Sequence, residues 1–108
     1  MTALSIRPAE LQDAPEVTRL LGELGYAWEV DGVRRHILRG QAPDGADRVL
    51  VACDGPQVAG VMALHRLEVL PYLRPVLRIT ALCVDARCRG QGIGRALEAA
   101  AQEEARRR

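Results

Sequence analysis

The feature that most constrains this chain is a glycine-rich segment, Arg89-Gly90-Gln91-Gly92-Ile93-Gly94, set between an apolar stretch and an amphipathic one. Before it, Val76 to Val84 is mostly apolar, which reads as a strand. After it, Ile93, Leu97, Ala100 and Ala101 form an apolar stripe, so Arg95 to Arg108 reads as a helix. Glycines at 90, 92 and 94 remove the side chains that would hold a ligand away from the backbone. A helix starting there adds unpaired N–H groups and the positive end of its dipole. Strand, loop and helix together make a cradle for phosphate or pyrophosphate, with Arg89 and Arg95 adding positive charge on either side.

Two common phosphate loops are excluded. A Walker loop needs Gly-Lys-Ser/Thr, and all 15 basic residues of this chain are arginine. A dinucleotide fingerprint needs G-x-G-x-x-G after the first strand and an acidic residue about 20 positions later. Here the spacing is G-x-G-x-G, late in a chain of 108 residues. A glycine-rich turn without a ligand is the plain alternative.

The rest of the chain builds towards this loop. Leu4 to Arg7 alternates and stops at Pro8, a short first strand. Asp13 is placed as an N-cap, with Pro15 in the first turn and Glu16 completing a capping box. Leu11, Ala14, Val17, Leu20, Leu21 and Leu24 follow at helical spacing, and Gly25 is the stop. A second helix runs from Asp31 to Gly40, then a loop from Gln41 to Asp47. Val49 to Cys53 is a strand, Asp54-Gly55 a hairpin turn, and Val58 to Leu70 the returning strand. Gly60 within it signals a bulge or a close backbone approach. The order β-α-α-β-β-β-α, with helices on the faces of a mixed sheet, is an α/β (α+β) fold in a single domain, residues 1–108. At this length roughly 60–70% of the unfolded surface can be buried, enough for one modest core.

Composition narrows the function classes. Net charge is +1, so neither nucleic acid nor an anionic membrane is indicated as a partner. There is no apolar run long enough for a membrane span and no signal-peptide pattern at the N-terminus, so the cytoplasm is expected. Cys53 and Cys83 lie in apolar runs and read as buried; Cys88, between Arg87 and Arg89, is either an incidental thiol or one of lowered pKa. No spacing of His, Cys or carboxylates suggests a metal site.

The stretch Leu82-Cys83-Val84-Asp85-Ala86-Arg87-Cys88-Arg89-Gly90-Gln91-Gly92-Ile93-Gly94-Arg95-Ala96-Leu97 resembles the signature of the GCN5-related N-acetyltransferases, whose core Arg/Gln-x-x-Gly-x-Gly/Ala is matched by Arg89, Gly92 and Gly94. The resemblance implies an acetyl-CoA-dependent enzyme that acetylates an amine of a small molecule or a protein. It implies that the backbone of Arg89, Gly90, Gln91, Gly92, Ile93, Gly94 and Arg95 holds the pyrophosphate of coenzyme A. It also implies that Leu82, Cys83 and Val84 pair with the pantetheine arm as though it were an added strand. Catalysis in the family is direct attack of the amine on the acetyl carbonyl, with a general base taking a proton. The family pattern continues with a further strand, a helix and a closing strand pair, so the chain reads as cut short after the loop helix. The alternative is therefore a catalytically incomplete CoA-binding or interaction module. An exposed apolar edge at Val76 to Val84 leads us to expect self-association through that edge or through the last helix.

Candidate bases lie on the predicted third strand. His65 and Glu68, three apart on the predicted third strand, point to opposite faces, so at most one faces the site. Thr80 shares a face with Leu82 by alternation, and His36 reads as a surface helix residue. Glu29, Asp31, Asp44 and Asp47 lie where the family places acceptor contacts, and either suit a cationic amine or are solvated loop charges.

Overall fold

The computed structural model describes residues 4–107. Four strands, β1 (Leu4–Pro8), β2 (Asp47–Asp54), β3 (Gln57–Leu67) and β4 (Val76–Val84), form one sheet in chain order, every neighbour antiparallel. Two helices, α1 (Ala14–Glu23) and α2 (Val30–Gly40), cover one face, and α3 (Ile93–Arg107) covers the other. The expected α/β fold and element order are both found, but the sheet, expected to be mixed, is antiparallel throughout the described residues because each strand returns beside the one before it.

The start of α1 differs from the sequence reading. Asp13 holds the N-cap position of α1 as expected, but with helical backbone angles and no side-chain cap bond; a short 3₁₀ turn, Leu11–Asp13, precedes α1, and the capping box pairs Asp13 with Glu10 instead of Glu16. The Asp13 carboxylate, only 5% exposed, accepts from the Glu10 N–H at 2.7 Å and from both Arg7 terminal nitrogens at 2.7 and 3.0 Å. The reason is electrostatic: a charge-assisted fork from Arg7 is stronger than one bond to a helix N–H. At the other end Gly25, at φ +90°, takes the left-handed conformation that stops the helix.

Each face of the sheet has its own core. Val17, Leu20, Val33 and Ile37 pack on Val51, Cys53, Val61 and Cys83, while Ile93, Leu97 and Ala101 pack on Leu50, Ala52, Met62 and Leu64. Burying each of the large aliphatic side chains contributes about 1.5–3 kcal/mol. Cys53 and Cys83 are buried as expected, and Cys88 packs against the α3-side core.

Two bulges shape the sheet. The β2–β3 register shifts between Ala52 and Cys53, leaving Ala59 unpaired beside Gly60. Gly60 is also a close approach: a Cβ there would lie 3.0 Å from Ile93 Cγ2, 3.2 Å from the Cys83 carbonyl oxygen and 3.3 Å from Leu97 Cδ1. Its missing side chain is what lets α3 sit down on the sheet. The second shift lies between Ala63 and Leu64, where Thr80 is the extra residue of β4. A bulge inverts the alternation, so Leu77 and Ile79 lie on the same side as Leu82 and Val84, facing α3.

Candidate functional site

Where β4 ends, the chain turns through a short 3₁₀ segment, Ala86–Cys88, and the turn is built around Asp85. The Asp85 N–H donates to the Ala59 carbonyl at 2.8 Å, extending the sheet by one bond. Its carboxylate, 1% exposed, accepts from the Arg87 N–H at 2.9 Å, Arg87 Nε at 3.1 Å, Arg87 Nη2 at 2.8 Å and Arg19 Nη2 at 2.9 Å. The Arg87 side chain and N–H, with Arg19, hold this carboxyl well below the usual range, so it is a fixed anion. Glu23 of α1 adds an acceptor for the Ala86 N–H at 3.3 Å. The turn is thereby fastened to α1. Sequence reading passes over this role of Asp85, although an Asp bonding the backbone two residues on is an Asx turn.

The glycine loop follows. Gly90 and Gly92 lie at φ +86° and +79°, where a residue with a Cβ is disfavoured by roughly 1–2 kcal/mol. A Cβ built on either would meet nothing within 4 Å, so the space beside the loop is open. The first helical bond of α3 is Ala96 N–H to the Gly92 carbonyl, 3.0 Å. Among the described residues none accepts from the N–H groups of Gly90 through Arg95. Gly94 sits within the first turn of α3 without a positive φ. The Ile93 side chain is buried in the α3-side core, so it offers the loop only its backbone. Arg89 and Arg95 are exposed, and neither has a carboxylate partner among the described residues. Open space, free N–H donors, a helix N-terminus and two uncompensated arginines fit a pyrophosphate.

Leu82, Cys83 and Val84 lead into this loop on β4, which pairs with β3 on one side and with no other described strand. Cys83 is buried toward α1 and α2, and Leu82 and Val84 lie toward α3, leaving the main chain of this edge to offer ladder bonds.

A second feature lies on the other face, an apolar cavity of about 160 Å³ between α1, α2 and the sheet. Val17 and Leu21 of α1, Val33 and Ile37 of α2, and Val49, Val61, Ala63 and Ala81 of the sheet line it, with Trp28, His36 and Asp47. His36, expected on the surface, is half-buried: one side of it meets Arg39 in the open and another reaches the cavity. Its ring meets Trp28 edge-on at 5.0 Å, and burial, with Arg39 close by, holds its pKa below the ordinary histidine value. Of the four acidic residues singled out in the sequence, only Asp47 reaches the cavity; Glu29, Asp31 and Asp44 are exposed, with Asp31 paired to Arg34. Asp47 Oδ1 lies 2.7 Å from His65 Nδ1. Glu68 falls beyond the end of β3, 3.7 Å from Arg66. The Thr80 hydroxyl donates to the Ala63 carbonyl at 3.3 Å across its bulge, which removes the simple alternation with Leu82. Among the described residues no group of three or more His, Cys, Asp or Glu is disposed to hold a metal ion.

The family model described as "Acetyltransferase (GNAT) family" matches residues 10–108, a span that includes the loop, the turn and both helices of the cavity. The chain belongs to this family. Its solved structural neighbours agree on the fold. A transcriptional regulator from Bacillus halodurans C-125 superposes with a TM-score of 0.82 at 24% identity, over 97% of this chain and 75% of that one. An acetyltransferase of Trypanosoma brucei gives 0.78 at 25% identity, over 96% and 75%. Glucosamine-6-phosphate N-acetyltransferase from Arabidopsis thaliana gives 0.81 at 17%, over 96% and 75%. No curated protein matches the chain. GNAT membership makes acetyl transfer the general activity. No helix among the described residues is long and apolar enough to cross a membrane.

Proposed function

We propose that this GNAT protein is an N-acetyltransferase that moves the acetyl group of acetyl-CoA to an amine, with residues 1–108 forming a single, partial N-acetyltransferase domain. The observation that carries the reading is the loop from Arg89 to Arg95: two glycines at positive φ, free N–H groups and an α3 N-terminus directly beyond the open edge of β4. In this reading the N–H groups of Gly90 to Arg95 hold the CoA pyrophosphate, and Arg89 and Arg95 add charge. Leu82, Cys83 and Val84 take the pantetheine amides in ladder fashion along the open edge. The co-substrate supplies the activated thioester. The protein holds it still beside the acceptor, the positioning that accounts for much of the rate in a two-substrate reaction.

Calorimetric titration of the chain with acetyl-CoA, alongside Gly92→Glu, tests this directly. The variant places a Cβ at φ +79° and a carboxylate in the anion cradle, so saturable binding by the wild type and none by the variant is expected. Failure of a well-folded wild-type chain to bind acetyl-CoA overturns the reading.

A further inference from the structure

We infer that the cavity between α2 and the sheet receives an acceptor amine carried on an aromatic or similarly compact apolar group, and that the His65–Asp47 pair at its end takes the proton from that amine. The inference rests on the acetyl-transfer reading and adds the substrate class and the base.

The cavity's size and lining argue for the apolar body. Apolar cavities of roughly 150 Å³ are large enough to take up a benzene ring. This one is about 160 Å³, with mostly aliphatic walls, the Trp28 indole and the His36 ring, whose pKa burial lowers. A polyamine or an aminosugar would have to leave most of its polar groups unpaired against those walls, a cost that rejects such ligands strongly.

Its polar end argues for the amine. Asp47 is the acidic residue of the lining and Arg48 the basic one; Arg48 Nη1 is turned to the Gly40 and Ala42 carbonyl oxygens, at 2.7 and 2.9 Å, so an ammonium attached to the apolar group meets its opposite charge at Asp47. The Asp47 carboxylate lies 2.7 Å from Nδ1 of the neighbouring imidazole, so with Nδ1 as the donor the neutral ring presents its lone pair at Nε2. Among the described residues Nε2 has no partner. Register places the pair beside the reaction. Asp47, His65 and Arg78 form one cross-strand row, and Val49, Ala63 and Ala81 form the next row on that face. The rows are about 7 Å apart along the strands. Ala81 lines the cavity and directly precedes Leu82, the proposed start of the pantetheine track.

The acceptor arrives as an ammonium. His65 Nε2 removes one proton and frees the nitrogen lone pair, which attacks the thioester carbonyl carbon. The C–N bond forms as the C–S bond breaks, and the electron pair leaves on sulfur. The remaining excess proton of the nitrogen passes to the thiolate, and His65 returns its own proton to solvent. The products are the N-acetylamine, CoA and one proton.

Trp28 is the one tryptophan in the chain, so emission excited at the red edge of the indole band, where Tyr26 and Tyr72 do not absorb, reports this cavity. Titration with phenethylamine is expected to change that emission saturably, while 1,4-diaminobutane at the same concentrations leaves it unchanged. Ala63→Leu, which fills the cavity floor, should abolish the response without altering CoA binding. In acetyl-CoA turnover with phenethylamine, His65→Ala should lose about 100-fold in kcat, the low end of what a general base supplies. The KM for the amine should stay within about twofold, and added imidazole should restore part of kcat. A merely structural role for His65 would not respond to imidazole. Equal binding of both amines, or none of either, by a chain that binds CoA overturns the inference and spares acetyl transfer. Full activity in His65→Ala, or a loss that imidazole does not repair, overturns the base. A chain that binds phenethylamine but not CoA overturns the acetyl-transfer reading, and the role of His65 falls with it.

Discussion

Replacing Gly60 with valine should unseat α3 from the sheet. The first atom added, Cβ, would stand 3.0 Å from Ile93 Cγ2, 3.2 Å from the Cys83 carbonyl oxygen and 3.3 Å from Leu97 Cδ1. The Cys83 oxygen belongs to the backbone of β4, and Ile93 is a stiff β-branched residue buried in the first turn of α3. Neither yields cheaply. Overpacking of a core costs about 1–3 kcal/mol, and the two further methyls of valine enter the same gap. The intrinsic strand preference of valine returns less than about 1 kcal/mol, leaving a net loss of about 2 kcal/mol. Urea unfolding followed by far-UV circular dichroism measures it. With a denaturant slope of about 1–2 kcal/mol/M the midpoint should fall by about 1–2 M at unchanged slope. Gly60→Ala is the graded control. Its single Cβ meets the same atoms, but the stiffer unfolded chain offsets about 0.4–1 kcal/mol, so its loss should be clearly smaller. A Gly60→Val protein with the wild-type midpoint would refute the account of how α3 is seated.

The opposite result is expected at Gly22, in the last turn of α1, where an added Cβ would meet nothing within 4 Å: Gly22→Ala should raise stability by about 0.5–1 kcal/mol, read as a higher thermal midpoint. Arg7, bonded to Asp13, holds that carboxyl below its ordinary pKa, so the folded state binds the proton less readily than the unfolded one. Its stabilisation is complete above the unfolded value and is lost as pH falls through the lower folded value. Asp13→Asn should therefore be less stable than wild type at pH 6 and show a shallower decline toward pH 2 in urea midpoints. Asp85→Asn should loosen the turn that leads into the glycine loop. We expect weaker acetyl-CoA binding in calorimetry with the far-UV spectrum unchanged.

The loop and its flanking elements are legible in the sequence because their signal is local. Glycines at 90 and 92 are needed for their own backbone angles, and the apolar runs around them carry strand and helix periods directly. The expected bounds of β4 are the observed ones, and Gly60, which signals a bulge or a close contact, proves to be both. What escapes depends on partners distant in sequence. Asp13 looks like a side-chain cap because nothing local reveals that Arg7 will reach it. His36 looks solvated until Trp28 and the sheet cover one side of it, and Asp47 and His65 meet only through the β2–β3 register. The Thr80 bulge is a relation between two strands, so alternation along one of them does not show it.

Helix α1 touches both halves of the proposed site. Arg19 and Glu23 grip the turn that opens into the glycine loop, while Val17 and Leu21, on the same short helix, form a wall of the cavity across the sheet. A ligand that orders the loop therefore acts on a wall of the other compartment. Thermodynamic linkage makes this a two-way relation: whatever factor CoA imposes on amine affinity, the amine must impose on CoA. If both ligands bind as proposed, this ten-residue helix is where that factor would arise.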